Sequence, residues 1–303
     1  MPKGLLGIEG IERDEIEQIL ERARAFQPHG GQTFAKVNTC TGRLVVNMFF
    51  ENSTRTRSSF EIAAKRLGAD TLSITASGSS VSKGESLVDT INTLVAMRPS
   101  AIVMRHAASG APHFLSRHLT TPIVNAGDGT HEHPTQALLD ARTILDRCGR
   151  LEGLRVAIIG DIAHSRVARS NIHLLAKFGV DLVLCGPPML LPREMARVAS
   201  GVTLEYDLRR AVKDADVIMM LRVQLERIHE PAMPAGEYFR FYGLRQEHMA
   251  LARPDAIVMH PGPMNRGREI SSEVADSQQS MILNQVENGV SVRMAVLERV
   301  LLQ

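Results

Sequence analysis

Short unbroken apolar runs alternate along the chain with segments whose apolar positions recur every three to four residues. Seven runs read as strands: Leu44 to Phe50, Ala101 to Met104, Pro122 to Asn125, Val156 to Ile159, Asp181 to Cys185, Val217 to Leu221 and Ile257 to Met259. Several are rich in Val and Ile and lack apolar–polar alternation, as expected for strands covered on both faces. Between them, Phe60, Ala63, Ala64 and Leu67 share one helical face, with Gly68 as a stop. Ala137, Leu138, Ala141, Ile144 and Leu145 repeat that spacing ahead of Gly149, and Val286, Val290, Met294, Leu297 and Leu301 do so at the end of the chain. A repeated β-α-β order predicts an α/β protein with parallel sheets flanked by helices.

The organisation expected is two doubly wound domains with a cleft between them. Residues 1–133 form the first domain, a helix over 134–150 links it onward, residues 151–284 form the second, and a helix over 285–303 closes the chain. The length of 303 residues agrees, at roughly 150 residues per domain. With 44% hydrophobic and 22% charged residues, the chain is neither disordered, collagen-like nor a disulfide scaffold. Cys40, Cys148 and Cys185 are far apart and form no CxxC pair, which argues against a zinc ribbon or a thioredoxin-type centre and suits a reducing compartment. A net charge of +2, mixed along the chain, argues against a nucleic-acid partner. No run nears the ~20 apolar residues of a membrane span, and the start lacks the apolar core of a signal peptide. The expected location is the cytoplasm, with no membrane partner.

Ligands of open α/β sheets bind beyond the carboxyl ends of the strands. After the first long run comes Glu51-Asn52-Ser53-Thr54-Arg55-Thr56-Arg57, at the start of a helix. One hydroxyl suffices to cap a helix. Three hydroxyls with two arginines suit an anion held by free N–H groups, the helix dipole and guanidinium forks. Arg105, Arg166 and Arg222 likewise follow predicted strands, which points to a polyanionic ligand set. Pro134 suits a first helical position, so His133 and Gln136 lie on an opening turn, where the dipole favours a neutral imidazole that donates to a carbonyl. His131, Glu132 and His133 lack the spacing of an HExxH zinc site. Gly160 stands without the rest of GxGxxG, and in Gly78-Ser79-Ser80-Val81-Ser82-Lys83-Gly84 the Lys and Gly are in the wrong order for a Walker loop. GxSxG is absent too. The chemistry suggested is electrostatic, without a covalent intermediate.

These segments together resemble the aspartate/ornithine carbamoyltransferase family. The resemblance rests on Phe50 to Phe60 with its Ser-Thr-Arg-Thr-Arg core, Met104-Arg105-His106, His133-Pro134-Thr135-Gln136, Arg222-Val223-Gln224 and His260-Pro261-Gly262-Pro263, in order along essentially the whole chain. The ornithine branch carries a reactive cysteine in a His-Cys-Leu-Pro segment and a Trp-containing stretch. This chain has no Trp, and its His260-Pro261 segment has no cysteine. The aspartate branch is therefore the better match, and two acceptor carboxylates suit Arg166 and Arg222. A different acceptor such as ornithine is the alternative, and a non-catalytic anion-binding protein of the same fold is a second.

The resemblance implies a first domain that binds carbamoyl phosphate, a second that binds aspartate, and a final helix that returns to the first. It implies transfer of the carbamoyl group to the α-amine of L-aspartate, giving N-carbamoyl-L-aspartate and phosphate in pyrimidine biosynthesis, with no metal or organic cofactor. Ser53, Thr54, Arg55 and Thr56 would hold the phosphate, while Thr56, Arg105 and His133 would surround the carbonyl oxygen. Gln136 and the backbone carbonyls near Pro261 and Gly262 would meet the carbamoyl nitrogen. Arg166, Arg222 and Gln224 would bind aspartate, and Ser79 and Lys83 match a loop that serves a neighbouring subunit's site on both substrates. That loop makes a homotrimer the expected active unit. Gly262 stands where some members have Leu, and this form resembles bacterial enzymes that often lack a regulatory chain, some of which associate with a dihydroorotase-like protein.

Overall fold

The Val- and Ile-rich runs become strands of two five-stranded parallel sheets, all of them inner strands except Ile257–Met259 at one edge, in a computed structural model that describes residues 4–28, 32–75, 86–223 and 233–303. The chain divides into two units, residues 1–138 with 288–303, and residues 139–287.

In the first unit, β1 (Gly4–Leu5), α1 (Arg13–Ala25), β2 (Leu44–Phe49), α2 (Thr54–Arg66), β3 (Asp70–Thr75), α3 (Leu87–Ala96), β4 (Ala101–His106), α4 (Ala111–Ser116) and β5 (Ile123–Asp128) follow one another. The strand order is β1-β5-β4-β2-β3. The chain therefore winds from β2 to β3 and then returns to lay β4 on the other side of β2. The helix α5 (Pro134–Cys148) leads onward and is divided between the units at 138/139.

The second unit continues with β6 (Arg155–Ile159), α6 (Arg166–Lys177), β7 (Asp181–Cys185), β8 (Val202–Glu205), α7 (Leu208–Val212), β9 (Val217–Met220), α8 (Ala235–Tyr242), α9 (Gln246–Met249), β10 (Ile257–Met259) and α10 (Ser272–Ala275). Its strand order is β10-β9-β6-β7-β8, so the winding reverses between β6 and β9. The last helix, α11 (Ile282–Leu301), contributes residues from 288 onward to the first unit. There Arg22 donates to Glu298 (Nη2 to Oε1, 2.8 Å), and Arg293 donates to Ser59 (2.8 Å) with its guanidinium over the Phe60 ring. The helix thus braces α1 and the inner face of α2.

Several strand limits differ from the sequence reading. β4 runs on through Arg105 and His106, so Arg105 is the penultimate residue of a strand and does not follow one. β5 extends to Asp128, and an extra residue against β4 shifts the register between Met104 and His106. Gly127, at φ +114°, and its N–H bond to Asn125 Oδ1 accommodate that irregularity, which lies next to the candidate site. β1, β3 and β8 are unpredicted. β1 has two residues, while β3 and β8 are edge strands with exposed positions, and a sheet edge needs no continuous apolar run. Among the described residues, no helix is long and apolar enough to cross a membrane.

Candidate active site

In the first unit the switch point lies between β2 and β4. At the end of β2, Ser53 sits in extended conformation as the N-cap of α2, and its side chain makes no capping hydrogen bond. The first turn of α2 holds no acidic residue. The positive dipole end of α2 therefore has neither a serine side-chain cap nor an acidic side chain in its first turn. Thr54 and Arg55 are exposed on that turn, and Thr56 is buried. Arg105 enters from β4, where it pairs in register with Phe49, and its Nε lies 3.3 Å from Glu51 Oε2. The Glu51 charge orients a guanidinium that is otherwise largely withdrawn from water. His106 packs edge-on against Phe50 and accepts from the Ala108 N–H through Nδ1 (2.9 Å). Burial lowers its pKa, so it is neutral at physiological pH.

Beyond β5, the neighbour of β4, the opening turn of α5 carries His133 and Gln136, both buried. The His133 carbonyl accepts from Gln136 N (3.0 Å), which establishes the start of the helix. The preceding turn is held from both sides. Glu132 accepts from the Ile8 N–H (2.8 Å), and Asp128 accepts from Asn125 Nδ2 and the Gly110 N–H. The Glu132 carboxylate is thereby committed to the backbone near residue 8, and His131-Glu132-His133 does not form a three-ligand cluster.

In the second unit the switch point lies between β6 and β9. Gly160 has φ +135°, and a Cβ there would stand 2.8 Å from the Leu221 carbonyl oxygen, so only glycine lets the two strand ends approach. Asp161, fully buried, accepts from the His164 N–H (3.2 Å) and ring Nδ1 (2.8 Å) and fixes the turn that leads into α6. Arg166 opens α6 and is 5% exposed, behind an N-cap, Ser165, that accepts from Ala168 N (3.1 Å). Arg222 follows the end of β9, partly exposed.

The loop after β10 carries Pro261 and Gly262. His260, 1% exposed, accepts from the Gly262 N–H through Nδ1 (2.8 Å) and faces Glu269 Oε1 through Nε2 (3.2 Å). Its own N–H donates to Gln285 Oε1 (2.9 Å), and Gln285 Nε2 donates to Asp140 Oδ1 (2.7 Å). Asp140 Oδ2 accepts from Asn171 on α6 (2.8 Å). This buried chain ties the 260 loop to the helix that presents Arg166. The sequence reading missed Asp140, Asn171, Gln285 and Glu269. The available signal was a charged residue, Asp140, inside the apolar run Leu138-Leu139-Asp140-Ala141.

Within the first unit the structure gathers Ser53, Thr54, Arg55, Thr56 and Arg105 at one switch point, with His133 and Gln136 after the adjoining strand. Within the second it sets Arg166 and Arg222 about the other. Ser79, Lys83 and Gln224 lie outside the described residues. Fold and chemistry together define an α/β enzyme class: two doubly wound units, each with arginine at its switch point.

Comparison with known proteins resolves the class further. Residues 3–146 match the model for the aspartate/ornithine carbamoyltransferase carbamoyl-P binding domain, and residues 152–300 match the Asp/Orn binding domain. The chain belongs to the aspartate/ornithine carbamoyltransferase family. It is 74% identical to the aspartate carbamoyltransferase catalytic subunit of Solibacter usitatus, over 99% of this chain and all of the relative. It is 56% identical to the catalytic subunit of Gluconobacter oxydans, over 99% of this chain and 96% of that one. Among solved structures, aspartate transcarbamoylase from Trypanosoma cruzi in complex with N-(phosphonacetyl)-L-aspartic acid superposes with a TM-score of 0.88 at 33% identity, covering 98% of this chain and 95% of the other. Ornithine carbamoyltransferase from Pyrococcus furiosus gives 0.87 at 30% identity, covering 98% and 96%. Backbone shape is thus common to both branches, and the acceptor is a matter of side chains.

Proposed function

We propose that this chain transfers the carbamoyl group of carbamoyl phosphate to the α-amine of L-aspartate, releasing N-carbamoyl-L-aspartate and phosphate. The observation that carries the reading is the uncapped start of α2, with Ser53, Thr54 and Arg55 ahead of a buried Thr56, opposite Arg105 on the next strand. It supplies N–H donors, hydroxyls and a guanidinium to a phosphate dianion. Aspartate is favoured over ornithine because Arg166 and Arg222 suit two carboxylates and would repel a cationic side chain, and because the relatives at 74% and 56% identity carry the aspartate name.

In this reading Ser53, Thr54, Arg55 and Thr56 hold the phosphate. Thr56, Arg105 and His133 donate to the carbonyl oxygen, and Gln136 with the carbonyls near Pro261 and Gly262 orients the carbamoyl nitrogen. The uncharged α-amine of aspartate attacks the carbonyl carbon and gives a tetrahedral oxyanion. Each donor aimed at it is worth about 3 kcal/mol of barrier. The C–O bond to phosphate then breaks, and the leaving phosphate takes up the amine proton. Holding the two reactants together supplies much of the remaining rate. Gln224 assists at the aspartate carboxylates. Ser79 and Lys83 complete a neighbour's site in a homotrimer, in the cytoplasm and in the pyrimidine pathway.

Colorimetric assay of the carbamoylated product with each amino acid tests the acceptor; turnover of ornithine but not aspartate sinks the assignment. Carbamoyl phosphate binding without phosphate release would instead support a non-catalytic role. For shared sites, Lys83→Ala and Arg55→Ala proteins, each inactive, should regain activity when their subunits are exchanged. No recovery after proven exchange would confine each site to one chain.

A further inference from the structure

Among the described residues, one group of three metal-ligating side chains stands close together: His113 on α4, Asp128 at the end of β5 and His131 on the turn that follows. One ligand atom from each lies within 4.8 Å of the others. His131 Nδ1 is 3.0 Å from Asp128 Oδ2, and the two imidazole rings stand edge to face at 5.3 Å between centroids. A tetrahedral ion with bonds of ~2.0 Å has ligand edges of ~3.3 Å, so modest side-chain rotations close this group onto one ion.

The surroundings hold the group in place. Asp128 Oδ2 also accepts from the Gly110 N–H (2.6 Å), and Oδ1 accepts from Asn125 Nδ2 (2.8 Å) and the Glu132 N–H (3.1 Å). The carboxylate is therefore fixed by three donors besides His131. Gly129, at φ +44°, packs so closely that a Cβ there would stand 2.3 Å from Ser109 Oγ, which in turn accepts from the Thr130 N–H. His113 Nδ1 is buried and has no hydrogen-bond partner among the described residues. A buried ring nitrogen without a partner loses its hydration for nothing, and a coordinated ion would restore that loss. His131 is 35% exposed, which leaves an open side for solvent to complete the coordination.

We propose that His113, Asp128 and His131 bind one divalent transition-metal ion of the zinc class. Two imidazoles and one carboxylate suit a borderline ion better than calcium or magnesium, which take oxygen ligands. On binding, the ion takes the place of the proton that His131 Nδ1 shares with Asp128 Oδ2, and that proton passes to water. The ion pins α4 to the turn ahead of α5. The site takes no part in the carbamoyl transfer, and the proposal does not depend on that reaction.

The test is calorimetric titration of chelator-stripped protein with Zn²⁺ alone, followed by the visible spectrum with Co²⁺. The expected result is one equivalent per chain and an intense cobalt band of a nitrogen- and oxygen-ligated site with low coordination number. His113→Ala and His131→Gln should each weaken binding at least about tenfold. His164→Ala, which removes the comparable His–Asp pair in the second unit, should leave it unchanged. Circular dichroism checks that the variants fold, and the cobalt spectrum of the unmodified chain gives an answer without them. No uptake, uptake unchanged in the His113 and His131 variants, or a weak octahedral cobalt spectrum each overturns the proposal.

Discussion

The two units reverse the winding of their sheets at different points, after one strand step in the first and after two in the second, and they also prepare their helix starts differently. In each, a strand end at the switch point leads into a helix with serine at the N-cap position. In the second unit Ser165 closes the cap of α6 on Ala168 N–H, whereas in the first unit Ser53 makes no such bond and the start of α2 remains open. A phosphate dianion is well served by several convergent N–H groups and a dipole end. Carboxylates spread along an amino acid are better met by discrete guanidinium forks, and Arg166 and Arg222 are such groups. In the proposed reading the first unit adds backbone N–H groups to its hydroxyls and guanidinium, whereas the second relies on side chains.

The strongest way to break this comparison is Arg55→Ala. It should lower kcat/KM by about 10³-fold with an unchanged circular dichroism spectrum, as loss of a charge-stabilising donor does. Activity near that of the unmodified chain would remove the phosphate role. Arg222→Ala should come next. Charge-assisted hydrogen bonds are worth about 1.5–3 kcal/mol, so KM for aspartate should rise by on the order of 100-fold while phosphate-analogue binding is retained. A sharper contrast comes from the two serines. Ser165→Ala should cost about 1 kcal/mol of stability in urea melts, because it removes a working cap. Ser53→Ala should leave the melt unchanged within about 0.5 kcal/mol and weaken carbamoyl phosphate about tenfold, because its hydroxyl serves the ligand. Equal destabilisation by both would erase the distinction.

The smallest effect concerns the brace on the first unit. Burial opposes ionisation of Glu298, but its hydrogen bonds from Arg22 and Thr39 outweigh that and hold the carboxyl below its ordinary value. The folded chain therefore takes up this proton less readily than the unfolded chain. The contribution is complete above an unfolded pKa of about 4.3 and is lost as pH falls through the lower folded value. Glu298→Gln should make stability fall less steeply over that acid range in urea melts at stepped pH. With Arg22 half exposed, the difference should not exceed about 1 kcal/mol.

Much of this was written locally. Buried parallel strands need unbroken apolar runs, so β2, β6, β7, β9 and β10 were legible within a residue or two, and Arg55 and Arg222 stand at strand ends that such runs mark. The edge strands β3 and β8 were not, since a partly exposed strand carries no apolar run. Arg105 was found but placed one step too far along, because the continuation of β4 depends on its register with β2 and β5.

By itself, then, the order of apolar runs and helix starts determined the α/β class, and short motifs such as Ser53-Thr54-Arg55-Thr56-Arg57 and His133-Pro134-Thr135-Gln136 carried the resemblance to the family and pointed to most candidate residues, because each is written within a few positions. Tertiary structure decided the rest. It left the cap at Ser53 open while closing the one at Ser165. It joined Asp140, Asn171, Gln285 and His260 across as many as 145 residues of sequence separation. It also set His113 beside His131, eighteen positions further on. Such pairings have no sequence signal, because they arise where separate elements are packed against one another and buried polar groups must find partners.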